Sequence, residues 1–239
     1  MGKVSPVTSG ERLPSRTREP DARKSYNHPC TIARTLDILG DRWTLLILRD
    51  LMGGLRRYSD ILESCNGMSP NVLSDRLKRL EADGLVHREY HRELPPRVDY
   101  TLTEKGWAVR PIFLALIDWG QEFLPATITE ESVGTSVPTD FAVRIIPTFS
   151  FKPERASELS ATMVVEISDC EDCNTWTLAI HDGHIHPQRT GIPQADVVLK
   201  TNTRGFFRFI RNKAKPEECG EIVGPVELAA AIQACFVSD

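Results

Sequence analysis

The sequence lacks the features that mark a membrane protein, an exported protein or an enzyme of a familiar class. No apolar run approaches the roughly 20 residues needed to span a bilayer, and the N-terminus has no apolar signal-peptide core. It also has no glycine-rich phosphate loop and no nucleophile with an evident base. We therefore expect a cytoplasmic protein that is not an enzyme, needs no cofactor and has no contact with a membrane.

An excess of charge of one sign is missing as well. The chain carries 29 Lys and Arg against 33 Asp and Glu, a formal net charge of -4. This balance argues against a nonspecific binder that holds nucleic acid by net charge. Any affinity for DNA must come from the local arrangement of a few basic side chains.

The cysteine and histidine pattern does not make a sound metal site. Cys170 and Cys173 form a CxxC motif, followed by His181, His184 and His186. Along a strand, the cysteines and histidines would lie roughly 20 Å apart, which one tetrahedral site cannot bridge. We expect no metal, and we expect the six cysteines to be mostly reduced.

The most informative positive feature is a helix predicted over residues 69–84. Ser69 can cap its start, Pro70 suits the first turn, and Gly84 suits the left-handed position past its end. Leucines at i, i+4 and i+7 predict one buried stripe: Leu73, Leu77 and Leu80. Polar residues on the outer sides could read nucleic acid: Asn71, Ser74, Asp75, Arg76, Lys78 and Arg79.

The neighbouring segments complete a known DNA-binding arrangement. Residues 59–65 form a shorter predicted helix, joined to residue 69 by the Gly-containing turn 66–68. After the long helix, two strand-like runs at 85–90 and 98–102 flank a basic, proline-containing tip. A helix-turn-helix followed by a basic hairpin is a winged helix.

Residues 28–124 resemble the HxlR family of bacterial winged-helix regulators. The strings that carry the resemblance are 30–49, 73–77 and 95–106, in the family's order. The resemblance implies a homodimer that binds double-stranded operator DNA, with the long helix in the major groove and the wing along the backbone. The expected DNA-binding residues are Ser59, Ser69, Asn71, Ser74, Asp75, Arg76, Lys78, Arg79, Arg88, Arg92 and Arg97.

A second helix is predicted from a cap at Thr103 through Phe123, with at most a kink at Pro111. Its apolar face is wider than one small domain needs, which favours a partner helix. The family resemblance places the dimer contact here and on the helix that starts near Cys30. The expected contact residues are Ile112, Leu116, Trp119 and Phe123.

Cys30 has two interpretations. It precedes a predicted helix, where the helix N-terminus can lower a thiol pKa, and some HxlR members sense oxidants or electrophiles through a cysteine at this position. The plainer interpretation, which we favour from the sequence, is a small, partly buried residue at the dimer contact.

The chain is long enough for two domains. We predict a disordered basic tail at 1–27, a DNA-binding domain at 28–125, a linker at 126–138 and a second domain at 139–239. The tail could serve as a DNA-backbone arm or simply be solvated.

The second domain has a different pattern, with strands predicted before helices. Its predicted strands are 161–167, 176–180 and 196–200, a hairpin turn is predicted at Asp182-Gly183, and helices are predicted near 204–212 and 225–236. This half resembles the sterol-carrier-protein-2-like (SCP2-like) domain, which implies a small, mainly antiparallel sheet with helices and an apolar ligand tunnel. The expected fold class of the whole chain is therefore α+β.

An aromatic cluster supports a ligand pocket but has a plainer explanation. A short helix that is apolar on more than one side must be covered on more than one side, by ordinary core or around a cavity. The expected ligand-binding residues are Trp176, Phe206, Phe207, Phe209 and Ile210. Three hypotheses follow: a DNA-binding regulator responsive to an apolar small molecule or lipid, a thiol-based redox regulator, and a lipid-carrier module whose winged helix serves association only.

Overall fold

The computed structural model describes residues 25–92, 96–125, 128–170, 174–192 and 194–236. The chain divides into two compact units, Met1–Asp41 and Arg42–Asp239. The division does not fall at the predicted linker, because both halves of the second unit share the buried contacts described below. Within the described residues, no helix combines the length and the hydrophobicity that a bilayer crossing requires.

The first unit contains one described helix, α1 (Thr31–Leu39). The chain before it is tied to its middle, since Ser25 Oγ donates to Asp37 Oδ2 at 2.8 Å and the Tyr26 amide donates to Asp37 Oδ1 at 2.8 Å. Most of the predicted tail, residues 1–24, lies outside the described residues.

The second unit begins with a winged helix. Its helices and strands are α2 (Thr44–Met52), α3 (Tyr58–Ser64), α4 (Pro70–Ala82), β1 (Val86–His91), β2 (Arg97–Leu102), α5 (Glu104–Trp107) and α6 (Arg110–Phe123). Strands β1 and β2 pair antiparallel, with Val86 opposite Leu102 and His91 opposite Arg97. The predicted helix-turn-helix and hairpin are present, with ends shifted by one or two residues.

The helix predicted from Thr103 to Phe123 is divided into two. Thr103 caps α5, since its Oγ1 accepts from the Gly106 amide at 3.1 Å, but α5 ends at Trp107. Pro111 lies in the first turn of α6 and has no amide to donate back into α5. A proline at a helix start is well tolerated, so the residue starts a new helix and does not kink a continuous one.

The predicted linker is partly built into the second half. Residues 126–127 lie outside the described residues, but Val133 and Val137 pair with each other and are buried in the C-terminal core. Their apolar side chains pack there although the surrounding sequence shows no periodicity.

The C-terminal module, residues 139–236 of the described chain, is an α+β layer structure. Its elements are α7 (Thr139–Ser150), a short 3-10 helix (Pro153–Arg155), β3 (Ala161–Ile167), β4 (Thr175–His181), β5 (His184–Gln188), β6 (Val197–Thr201), α8 (Thr203–Ile210), α9 (Pro216–Cys219), β7 (Glu221–Val223) and α10 (Val226–Ala234). The strand order is β5-β4-β3-β6-β7, parallel between β3 and β6 and antiparallel elsewhere. Asp182 and Gly183, with φ of 52° and 70°, make the predicted hairpin turn.

The aromatic cluster predicted to contact a ligand lies in the core of this module. Five side chains have almost no exposed surface and belong to one core cluster: Trp176, Phe206, Phe207, Phe209 and Ile210. They contact other protein side chains, because helix α8 is covered on both of its apolar sides. A ligand at this place would have to displace packed core, and burying one large apolar side chain is worth about 1.5–3 kcal/mol.

Candidate nucleic-acid interface

Helix α4 is set by local signals at both ends and a buried stripe between them. Ser69 Oγ accepts from the Val72 amide at 3.4 Å, and Pro70 occupies the first turn. Gly84 takes φ +71° just past the end, as predicted. The stripe packs into the core of the winged helix and fixes which face points outward: Leu73, Leu77 and Leu80.

Tyr58, which the sequence reasoning overlooked, joins α3 to α4. Its hydroxyl donates to the Pro70 carbonyl at 2.6 Å and lies 3.1 Å from Ser74 Oγ. Ser74 is half-buried and belongs to this link, which is a structural role. An aromatic residue at the start of the first helix of a helix-turn-helix was the available signal.

Fewer side chains of α4 face outward than the sequence predicts. Asn71, Asp75 and Lys78 are exposed, and Asp75 pairs with Arg79 at 3.0 Å. Arg76 is half-buried, and its Nε has no contact with solvent. The reason is helical periodicity: position 76 is three residues after Leu73 and four before Leu80, so it flanks the buried stripe.

The other predicted polar residues of the helix-turn-helix are exposed. Ser69 is occupied as the cap of α4. Ser59, on α3, donates from its Oγ to Asp60 Oδ1 at 2.9 Å. Ser59 therefore already has a protein partner.

The wing exposes most of its first strand on both faces. In β1 only Val86 is buried, and His87 to Tyr90 are all exposed. Arg88 and Tyr90 share one face of the strand, and His87 and Glu89 lie on the other. Arg92 is exposed just after the strand. Strands of a folded domain normally bury one face, so a strand exposed on both is available to a partner. The wing tip, 93–95, lies outside the described residues.

The wing is anchored to the start of α3 by Asp99, a residue that the sequence reasoning did not single out. Arg57 Nε lies 3.0 Å from Asp99 Oδ1, and His91 Nε2 lies 3.3 Å from Asp99 Oδ2. Arg97 Nε is 4.0 Å from the same carboxylate. The Tyr100 amide adds a backbone bond to the Arg56 carbonyl at 2.8 Å. Arg97 is therefore drawn toward Asp99 and is not a simple outward cation.

Helix α6 carries an exposed apolar stripe. Its largest members, Trp119 and Phe123, are 57% and 61% exposed, with ring centroids 5.5 Å apart. Ile112 and Leu116 continue the stripe and are also exposed. On the opposite side Phe113 is buried against Phe149, with ring centroids 5.2 Å apart. The stripe predicted as a dimer contact is thus uncovered in one chain.

The described free cysteines differ sharply in environment. Cys30 is exposed at the N-cap of α1. Cys65 is buried, and burial together with the neighbouring Asp50 carboxylate raises the pKa of its thiol to about 12. Burial also raises the pKa of Cys219 and Cys235, and Cys170 is in a disulfide. Of the four free thiols, only Cys30 is accessible to a reagent.

The segment that contains the capped helix, the preceding short helix and the wing is similar in sequence to known proteins. The family model described as HxlR-like helix-turn-helix matches residues 38–128. An HTH-type transcriptional regulator of Synechocystis, itself uncharacterized, is 36% identical over 108 residues, which make up 45% of this chain and 80% of the relative. The chain belongs to the HxlR family. Its helix-turn-helix is therefore the DNA-binding element of a transcriptional regulator.

A second relative covers a similar part of the chain. The HTH-type transcriptional regulator YodB of Bacillus subtilis is 40% identical over 96 residues, 39% of this chain and 86% of that protein. The solved structure of its reduced form has a TM-score of 0.37 and 38% identity, and the match covers 40% of this chain and 94% of that one. The HxlR family match ends at residue 128, so the C-terminal module lies outside it.

Proposed function

We propose that this HxlR regulator binds operator DNA with α4 in the major groove and the β1–β2 wing along the backbone. One observation carries the proposal: α4 buries its leucine stripe and presents a polar face, and it is followed by a wing whose first strand is exposed on both faces. On that face Asn71 has an amide that can bond an adenine edge in two places, and Lys78 adds a cation.

The arginines divide into two groups in this proposal. Arg88 and Arg92 are exposed and would touch phosphates, which position a protein without reading sequence. Arg76, Arg79 and Arg97 are only partly exposed and are held near the protein surface, so we assign them a smaller share of the binding energy.

We propose a homodimer that pairs through α6. The exposed stripe from Ile112 to Phe123 is larger than scattered surface apolar residues explain. Pairing two chains would also bring two copies of α4 to one DNA duplex, as dimeric helix-turn-helix proteins require.

The test is selection of DNA fragments retained by the purified full chain, followed by affinity measurements on the selected site. Asn71→Ala should weaken the selected site by about 1–3 kcal/mol and relax base preference at one position. Arg92→Ala should weaken all DNA alike and reduce the slope of log K against log salt by about 0.9. Arg204→Gln, an exposed arginine on α8, is the matched control. Retention of no fragment, or an unchanged preference in Asn71→Ala, contradicts the proposed reading.

A thiol switch is the second candidate, and the exposure of Cys30 favours it. Cys30 lies at the N-cap of α1, and its backbone amide donates to His28 Nδ1 at 3.1 Å. An oxidant would therefore reach this thiol before the buried ones. If the switch operates, diamide should change DNA affinity in the native chain and leave Cys30→Ser unchanged.

We further propose that residues 139–239 form an SCP2-like regulatory module whose state is transmitted to the winged helix. Its small, mainly antiparallel sheet with flanking helices supports the resemblance. Helix α7 supports the transmission, because Arg144 reaches Asp50 of α2 and Arg110 of α6 donates to the Thr148 and Phe151 carbonyls at 3.1 and 2.7 Å. If the module were only a lipid carrier, the DNA selection would fail.

A further inference from the structure

A cleft of about 1000 Å³ opens between the winged helix and the C-terminal module. The loop before α3 and the wing residue Asp99 form one wall, and the first turns of α7 form the second. The last residue of β5 and the two residues after it, 188–190, form the third. All of these residues belong to the same compact unit. The cleft is separate from the exposed face of α4 and from the aromatic core cluster.

Arginines and carboxylates line this cleft in nearly equal number, and the arginines exceed the carboxylates by one. Its lining contains four carboxylates, no lysine and five arginines: Arg49, Arg56, Arg57, Arg144 and Arg189. Arg57 pairs with Asp99 through Nε at 3.0 Å, and Arg144 pairs with Asp140 through Nε at 3.0 Å. The terminal nitrogens of Arg49 and Arg144 are directed at Asp50. A guanidinium has five N–H donors, and its terminal fork matches a carboxylate or phosphate. On Arg57, pairing through Nε leaves that fork able to bind an oxyanion.

The inner wall holds a buried donor that lacks an acceptor. Arg144 is 1% exposed, and its Nη1 has no hydrogen-bond partner among the described residues; Asp50 Oδ1 lies 3.6 Å away. Buried polar atoms without a partner are uncommon and call for an explanation. An oxyanion in the cleft would bring additional acceptor oxygens to this guanidinium.

One side of the cleft suits a flat apolar group. Phe141 is half-buried in the lining, and the Arg49 guanidinium carbon lies 5.3 Å from its ring centroid. Aromatic rings and guanidinium planes are both surfaces on which another ring can stack. We propose that this cleft binds a small planar organic oxyanion, whose carboxylate or phosphate is held by Arg57 and whose ring packs beside Phe141.

The position of the site connects it to the wing. Arg57 holds Asp99 of β2, and the same carboxylate contacts His91 of β1. An anion on the Arg57 fork places a second negative charge beside Asp99 and shares the same guanidinium, so it changes how the wing is held against α3. This consequence rests on the proposed DNA-binding function, whereas binding of the anion does not. In a linked system the anion and the DNA change each other's affinity by the same factor.

The test is calorimetric titration of the full chain, without DNA, using four probes of one shape: benzoate, phenyl phosphate, neutral benzamide and cationic benzylamine. At least one of the two oxyanions should bind with a Kd of about 1 mM or tighter, with benzamide and benzylamine at least tenfold weaker. The oxyanion that binds more tightly identifies the acid group. No heat from either oxyanion up to about 10 mM, or equal binding of benzamide, overturns the proposal.

Two variants and a control locate the site. Arg57→Gln should weaken the tighter oxyanion at least tenfold, and Arg56→Gln at the exposed rim serves if the first variant fails to fold. Arg204→Gln removes an exposed arginine outside the cleft and should leave binding unchanged. Equal losses in Arg204→Gln and the cleft variants would show nonspecific charge attraction and overturn the site. Because DNA is absent, these results stand apart from those of the DNA selection.

Discussion

Replacing Asp50 with asparagine should destabilise the second unit while preserving side-chain shape. Asp50 is fully buried and accepts from the Arg49 guanidinium at 3.1 Å and from Cys65 Sγ at 3.4 Å. Arg144, from the C-terminal module, lies 3.6 Å away. Asparagine removes the buried carboxylate that lies between Arg49 and Arg144, and it leaves their two guanidinium groups beside a neutral amide.

The expected loss is about 3 kcal/mol in the free energy of unfolding. Removing one partner of a buried ion pair typically costs about 3–5 kcal/mol. The lower end applies because Arg144 keeps Asp140 at 3.0 Å and the Arg49 side chain is 20% exposed, so water screens part of the stranded charge. For a unit of this size, about 3 kcal/mol corresponds to a fall in Tm of about 10 °C.

Chemical denaturation followed by circular dichroism measures the effect, with two comparisons. Asp75→Asn breaks an exposed ion pair and should change stability by no more than about 0.5 kcal/mol. The double variant Asp50→Asn with Arg144→Met should lose less than the sum of the single changes, by about 1–3 kcal/mol. A loss below about 1 kcal/mol in Asp50→Asn, or strict additivity, would refute the reasoning that Asp50 and Arg144 depend on each other.

Three further results are expected. Iodoacetamide at pH 8 should alkylate Cys30 in the native chain and leave Cys65 unmodified, because the pKa of Cys65 is raised to about 12; mass spectrometry of peptides checks this, and rapid labelling of Cys65 would contradict it. Burial, together with neighbouring basic side chains, lowers the pKa of His186 from 6.5 to about 4. As the pH falls, the unfolded chain therefore binds a proton at this position before the folded chain does. The contribution of His186 to the free energy of unfolding is complete above pH 6.5 and is lost as the pH falls toward 4. His186→Gln should remove up to about 1 kcal/mol of the loss between pH 6 and 5, and an identical pH profile would exclude the effect. Trp119→Ser should weaken the homodimer at least about tenfold in sedimentation equilibrium, since each chain would lose a large apolar contact, and an unchanged dimer would move the contact away from α6.

Elements specified by neighbouring residues were predictable from the sequence. Helix α4 has its cap at Ser69, its stop at Gly84 and its leucine period within one short segment. The hairpin at Asp182-Gly183 has its turn residues in place and is confirmed. Each signal acts over a few residues, so no knowledge of the rest of the chain was needed.

Features that depend on distant residues were not predictable. Nothing near Asp99 shows that it pairs with Arg57, 42 positions earlier, and nothing near Phe206 shows which side chains cover α8. The outward set on α4 was overestimated because a polar residue was assumed to point outward, whereas Arg76 lies beside the leucine stripe. Pro111 was misjudged for a local reason, since a proline that kinks a long helix can equally begin a new one.

The two glycines that follow α2, Gly53 and Gly54, lie against the C-terminal module. A methyl group on Gly53 would lie 2.5 Å from Ile145 Cδ1 and 2.8 Å from Arg144 Nη1, and one on Gly54 would collide with the Pro187 carbonyl. Gly54 also has φ +88°, which favours glycine in any context, but Gly53 has an ordinary φ of -75°. The close contacts at position 53 therefore come from the neighbouring module, where the ends of the Ile145 and Arg144 side chains would have to shift. We therefore expect this position to vary among family members that end after the winged helix, and glycine there to accompany chains that carry such a module.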